Sequence, residues 1–132
     1  MLNRYHFEIK KMTKTKWKNK IKKACVEAGT YQKYFDPVID TLAAILETRD
    51  KAQEKYEEEG CEPIIEYTNK NDATNYVKNP MLVVIRDCND QALAYWRDLG
   101  LTPKGLKMLG EKGLINKDKG GGLASALADL GI

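Results

Sequence analysis

The sequence has little of what catalytic and metal sites are usually built from. Its 132 residues include one histidine, His6, and three scattered cysteines, Cys25, Cys61 and Cys88. A Ser-His-Asp or Cys-His arrangement would have to use His6, which lies in a strongly charged N-terminal stretch. Zinc and redox motifs need closely spaced cysteine pairs, and these three cysteines form none. The sequence therefore predicts neither a nucleophilic active site nor a bound metal, and the cysteines are interpreted as small apolar residues.

Long apolar runs and phosphate-binding loops are missing too. No stretch approaches the roughly 20 apolar residues of a membrane-spanning helix, and the N-terminus "MLNRYHFEIKK" carries charge where a signal peptide is apolar. We therefore expect a cytosolic protein with no membrane partner. No Gly-Lys-Ser/Thr motif follows the glycines at 120–122. The consecutive Glu57, Glu58 and Glu59 point in different directions around a helix, which suits a two-metal nuclease poorly. We expect no catalytic residues, no cofactor and no enzymatic activity.

Positive charge, by contrast, is abundant at one end. The chain has a net charge of +3, yet its first 23 residues hold nine basic side chains against one glutamate, so the remainder is acidic. A basic arm on an acidic body is typical of proteins that bind a polyanion, because each lysine placed at a phosphate releases a counterion. Nucleic acid is the favoured partner, and a merely solvated charged surface is the alternative. The predicted DNA-binding residues are Arg4, Lys10, Lys11, Lys14, Lys16, Lys18, Lys20, Lys22 and Lys23.

The order of apolar stripes and helix signals predicts a mainly α protein in three parts. Residues 1–30 form a basic N-terminal arm with one helix that ends at Gly29, and residues 31–115 form a core. In that core, two long helices, at 36–60 and 79–100, are capped by Asp36 and Asn79. They fold back as an antiparallel helical hairpin with a short β-hairpin near 63–78 between them. That ribbon is expected to lie against helices or a neighbouring subunit, since two strands alone are marginal. Arg49 is interpreted as a side chain with its stem on apolar neighbours, or as an ion-pair partner of Asp87 or Asp98.

The second long helix carries more apolar surface than one core contact requires. Its apolar residues span about half of the helix circumference, and a second copy of the chain would cover the surplus most simply. We therefore predict a homo-oligomer. The predicted interface residues are Met81, Val84, Ile85, Cys88, Tyr95 and Trp96.

The C-terminal part begins after a sharp corner between helices. Gly100 suits a helix end, Thr102 a helix cap and Pro103 a first helical position, so a short helix, weakened by its glycines, should follow. Residues 116–132 read as a glycine-rich tether and an apolar tail. In that tail Leu123, Leu127 and Leu130 share one helical face, which predicts either docking to a partner protein or folding back on the same subunit.

These features together resemble the P27 family of phage terminase small subunits. The resemblance covers residues 41–109 and is carried by the long helix ending "EEEG", the polar ribbon, "VKNP" and "LGLTPKGLKML". It implies a non-enzymatic packaging factor that assembles as a homo-oligomeric ring, recognises double-stranded viral DNA, and regulates the large terminase subunit, which carries the ATPase and nuclease. It also implies work in the host cytoplasm during infection. The tail lies outside the resemblance, and its apolar face alone predicts the leucines as the contact to the large subunit. The alternatives are a small helical DNA-binding or transcriptional regulator with a helix-turn-helix, or a protein–protein adaptor without ring assembly.

Overall fold

A computed structural model describes residues 11–116 of the chain. It contains four α-helices and one two-stranded antiparallel sheet. In chain order these are α1 (Lys14–Ala28), a single 3-10 turn (Lys33–Phe35), α2 (Asp36–Glu58), β1 (Ile64–Thr68), β2 (Thr74–Lys78), α3 (Pro80–Asp98) and α4 (Pro103–Glu111). The mainly helical fold and the short β-hairpin are thereby confirmed. No helix within residues 11–116 is long and apolar enough to cross a membrane.

Helices α2 and α3 lie antiparallel, as hydrogen bonds at both of their ends show. At one end, the backbone N–H of Asn79, just before α3, donates to the carbonyl of Pro63, shortly after α2 (2.8 Å). At the other end, the Thr30 hydroxyl, before α2, donates to the carbonyl of Leu99, after α3 (2.7 Å). Because a residue adds about 1.5 Å to a helix, these 23- and 19-residue helices are about 35 and 29 Å long. Hydrogen bonds therefore connect the two long helices at both ends of the hairpin.

The hydrophobic core is shared by three helices. Helix α2 contributes half of its residues, and α1 and α3 both pack onto that helix. The buried residues of the core are Ile21, Cys25, Ile39, Leu42, Ala43, Leu46, Ala92 and Leu99. Burying a large aliphatic side chain contributes about 1.5–3 kcal/mol, so the basic helix α1 is held to the body by apolar contact as well as by charge.

The β-ribbon projects from the hairpin, with side chains on both of its faces exposed. Tyr76 is 74% exposed, Tyr67 56% and Ile64 52%. Its base is fixed by Asn79, whose side-chain amide donates to the carbonyl of Glu62 (3.0 Å) while its Oδ1 accepts from the N–H of Met81 (3.0 Å). The helices described do not cover the ribbon. Of the two expected contacts, the one with helices of the same chain is therefore wrong, and the one with a neighbouring subunit stays a prediction.

The corner between α3 and α4 is closely packed. Gly100 has φ +74°, which favours glycine, and a Cβ there would meet Thr30 and Leu109 side chains at 2.7 and 2.6 Å. The Thr102 hydroxyl caps α4 by accepting from the N–H of Gly105 (3.0 Å). Gly105 is buried directly against the backbone of Arg97. The sequence analysis interpreted Gly105 as weakening α4. In the structure, the missing side chain at this position allows α4 to approach α3 closely.

Candidate nucleic-acid interface

Helix α1 carries the predicted basic surface, and local signals fix where it begins and ends. The Thr13 hydroxyl accepts from the N–H of Lys16 (3.3 Å), which caps the first turn. Gly29, with φ +75°, ends the helix and donates its N–H to the carbonyl of Val26 (3.1 Å). The lysines between these two residues are therefore held at helical spacing.

One side of α1 is anchored to α2 through an aromatic contact. The indole N–H of Trp17 donates to Oδ2 of Asp50 (2.7 Å). The Arg49 guanidinium lies 5.6 Å from the Trp17 ring centroid and bonds Asp50 Oδ1 (3.0 Å) and the Asn89 side chain (3.3 Å). Of the two interpretations of Arg49, the ion pair with Asp87 or Asp98 is wrong, because the carboxylate that the guanidinium bonds is that of its own neighbour, Asp50. This cluster sets the rotation of α1 on the body.

Three of the predicted DNA-binding lysines bond to carboxylates of α2. Lys14 and Lys18 both bond Asp40 (3.2 Å each), and Lys11 bonds Glu54 (3.1 Å). The ammonium groups of Lys18 and Lys14 lower the pKa of the Asp40 carboxyl. The sequence analysis missed the role of Asp40, since only the packing of α1 on α2 brings it to these lysines. Lys11, Lys14 and Lys18 thus already have anionic partners within the subunit.

A different set of lysines points away from the body. Lys16, Lys20 and Lys23 are exposed and recur at intervals of four and three residues, so they form one stripe on the solvent side of α1. We call these three residues the outer lysine stripe. The Lys20 ammonium lies 5.2 Å from the Trp17 ring centroid, and the Lys16 ammonium donates to the carbonyl of Lys11 (3.1 Å). Neither contact places a carboxylate on the stripe, so its charges face solvent.

The remaining predicted DNA-binding residues lie elsewhere. Lys22 is exposed on another flank of α1, with its ammonium 5.0 Å from the Tyr31 ring centroid. Arg4 and Lys10 lie outside the described residues. The structure therefore divides the predicted basic arm into a body-bound set, a stripe toward solvent and a segment it does not describe.

The predicted interface residues of α3 lie largely on the side that faces its own subunit. Cys88 is buried inside the chain, where burial raises the pKa of its thiol, and Tyr95 and Trp96 pack on the core. Met81, Val84 and Ile85 are half-buried. At about 100° per residue, Leu82 and Leu93 point away from the face that carries Cys88, and Leu93 is 56% exposed. The apolar surface left for a second copy therefore includes two leucines that the sequence analysis did not single out.

The predicted docking residues Leu123, Leu127 and Leu130 lie outside the described residues. Among residues 11–116, no group of three or more His, Cys, Asp or Glu side chains is arranged to hold a metal ion. Nor does that part of the chain bury a side-chain nitrogen or oxygen without a hydrogen-bond partner. The described surface thus offers charge and apolar area, the two properties on which contacts with a polyanion and with other protein chains depend.

Comparison with known protein families identifies a match. A family model described as "Phage terminase, small subunit" matches residues 13–113, which is most of the chain. Neither the curated proteins nor the solved structures yield a match. The match begins at the cap of α1, so it extends beyond the resemblance over 41–109 and takes in the basic helix. The earlier resemblance is confirmed, and the function of the family is phage DNA packaging. The chain belongs to the family of phage terminase small subunits.

Proposed function

We propose that the protein is the DNA-binding, oligomeric subunit of a phage terminase, and that it brings viral DNA to the large subunit and regulates the ATPase and nuclease carried there. The observation that supports this most is the outer lysine stripe on a helix that lies within the matched family domain. Packaging takes place in the host cell, where the substrate is double-stranded DNA. The leucines of the tail, Leu123, Leu127 and Leu130, are the proposed contact to the large subunit.

The geometry favours phosphate contacts over base reading. Lys16, Lys20 and Lys23 present point charges, which bind phosphates but give little discrimination between bases. The three Cα atoms span about 10 Å along the helix, at 1.5 Å per residue. Three lysines spread over this distance can contact several phosphates of one DNA strand at the same time. We therefore expect affinity to depend strongly on salt and weakly on DNA sequence.

The test is the salt dependence of binding to a fluorescent DNA duplex, followed by anisotropy. The variant carries Lys16→Gln, Lys20→Gln and Lys23→Gln, all at exposed positions. Log affinity decreases with log salt, and each phosphate contact makes this slope steeper by about 0.9. The slope of the variant should therefore be shallower than that of the wild type by about 2 to 3. Deletion of the arm is a poorer test, since Trp17 and Ile21 pack on the core and their loss would destabilise the fold.

A matched control removes the same charge elsewhere. Lys51→Gln, Lys55→Gln and Lys112→Gln alter three exposed lysines of α2 and the end of α4. This variant should keep the wild-type slope. If both variants lower the slope equally, net charge and not the stripe determines binding, and the assignment of α1 as the DNA contact fails.

A further inference from the structure

An apolar groove lies between the end of α1 and the corner that joins α3 to α4. Its volume is about 400 Å³. Ala24, Glu27 and Ala28 line it from α1, Leu101 lines it from the corner, and Pro103 and Leu106 line it from α4. Two of the three residues on its α1 wall are alanines, so apolar space is left beside them. The groove therefore has room for aliphatic side chains from another segment.

The last described residue, Asn116, lies beside this groove. Asn116 donates its side-chain amide to the carbonyl of Tyr31 (2.9 Å), and its Oδ1 accepts from the side-chain amide of Gln32 (3.3 Å). Its backbone N–H bonds the carbonyl of Gly29, which directly follows the groove residue Ala28. These contacts fix residue 116 at the α1–α2 connection, next to one end of the groove.

The sequence after this point has the length and the pattern to fill the groove. Six residues, "KDKGGG", separate Asn116 from Leu123, and they can span up to about 20 Å at 3.3–3.6 Å each. Leu123, Leu127 and Leu130 then recur at i, i+4 and i+7, the spacing with which a helix lays one apolar face into a groove. Because the tether is short, the effective concentration of the tail at the groove is in the millimolar range.

We propose that, in the subunit without its partner, this chain's own tail, residues 123–132, docks in the groove through these three leucines. On the proposed function, in which these leucines contact the large subunit, the large subunit competes with the groove for them. Docking of the tail does not depend on DNA binding. A negative result in the salt-dependence experiment would therefore leave tail docking unaffected, and a negative result in the exchange experiment described next would leave DNA binding unaffected.

The test is hydrogen–deuterium exchange of the full chain, read by mass spectrometry over the tail. With a millimolar effective concentration and a local affinity of about 0.1 mM, the tail amides should exchange about tenfold more slowly than in a free peptide of the same sequence. Leu127→Asp in the tail should remove this protection. Ala24→Glu, which places a charge in the groove, should remove it equally.

Two controls separate docking from general effects of charge. Ser125→Asp adds the same charge on the opposite side of the tail from the leucines, and Asn19→Glu adds it at an exposed position of α1. Both should keep the protection. The proposal is overturned if the wild-type tail exchanges like the free peptide, or if Ala24→Glu leaves its protection unchanged.

The same experiment distinguishes a groove on the same chain from one on a second copy. Docking within one chain gives protection that does not change on dilution. Protection that disappears as the protein is diluted would assign the tail to a neighbouring subunit and overturn the proposal in its present form.

Discussion

Single residues at the α3–α4 corner determine how closely the last helix packs. An alanine Cβ at position 105 would overlap the carbonyl group of Arg97, whose position is fixed within α3. Helix propensity alone favours alanine over glycine by about 1 kcal/mol. Here the clash outweighs it, because α4 must move away from α3 and expose the buried Leu106. We expect Gly105→Ala to lower the free energy of unfolding by about 1–3 kcal/mol, measured by urea denaturation.

Gly110 offers the matched control in the same helix. A Cβ at this position meets only the tip of the Ile115 side chain, at 3.2 Å. Gly110→Ala should therefore leave stability unchanged or raise it by up to about 1 kcal/mol. Equal effects of the two substitutions would show that propensity, and not the contact with Arg97, governs this helix.

Asp40 gives the contact between α1 and α2 a pH dependence. Lys18 and Lys14 lower its pKa in the folded state, so the ionised carboxylate favours folding above the ordinary Asp pKa of 3.8. This stabilisation is lost as the pH falls below that value and through the folded-state pKa. The stability difference between wild type and Asp40→Asn should therefore shrink from pH 5 toward pH 2.5, measured by thermal unfolding.

A carboxylate without this role serves as the comparison. Asp90 is exposed on α3, and the structure shows no ion pair to it among the described residues. Asp90→Asn should follow the wild-type pH profile. If Asp40→Asn did the same, the contact of Lys14 and Lys18 with Asp40 would contribute nothing to folding in solution. Many exposed ion pairs make no measurable contribution to stability.

The elements themselves follow from local sequence signals. Gly29 and Gly100, both with positive φ, end α1 and α3 where the sequence analysis placed those ends. Thr102 and Asn79 cap α4 and α3 as predicted. Asp36, predicted as the cap of α2, is instead its first residue, and the Tyr31 hydroxyl donates to it (2.8 Å). Signals that act within a few residues are thus nearly sufficient to define the helices.

Contacts between elements could not be read in the same way. The lysines of α1 have the same spacing whether α2 faces one side of the helix or another, so the division into Lys14 and Lys18 toward Asp40 and Lys16, Lys20 and Lys23 toward solvent depends on tertiary packing. The apolar residues of α3 likewise become core or surface only when the rotation of that helix on α2 is known. Leu93 is exposed for this reason, while Cys88 is buried.

At the scale of the whole molecule, the described chain leaves apolar surface without a partner. Leu93 and the ribbon residues Ile64, Tyr67 and Tyr76 are each more than half exposed. A two-stranded ribbon with both faces in water is marginally stable alone, and a neighbouring subunit would cover it. Because these residues lie on separate elements, contact through them uses more than one patch of each subunit. This arrangement supports the proposed ring, in which every subunit has two neighbours.

Light scattering coupled to size exclusion, at moderate salt and without DNA, tests this assembly. We expect one discrete mass several times the 15.0 kDa of the chain. Leu93→Asp should shift it toward the single-chain mass, because a charge at a contact must be desolvated, whereas Gln91→Asp, at an exposed polar position of the same helix, should not. If the wild-type protein elutes with the mass of one chain at every concentration, the exposed apolar residues serve some contact other than self-association. The proposed DNA-binding subunit would then act without a ring.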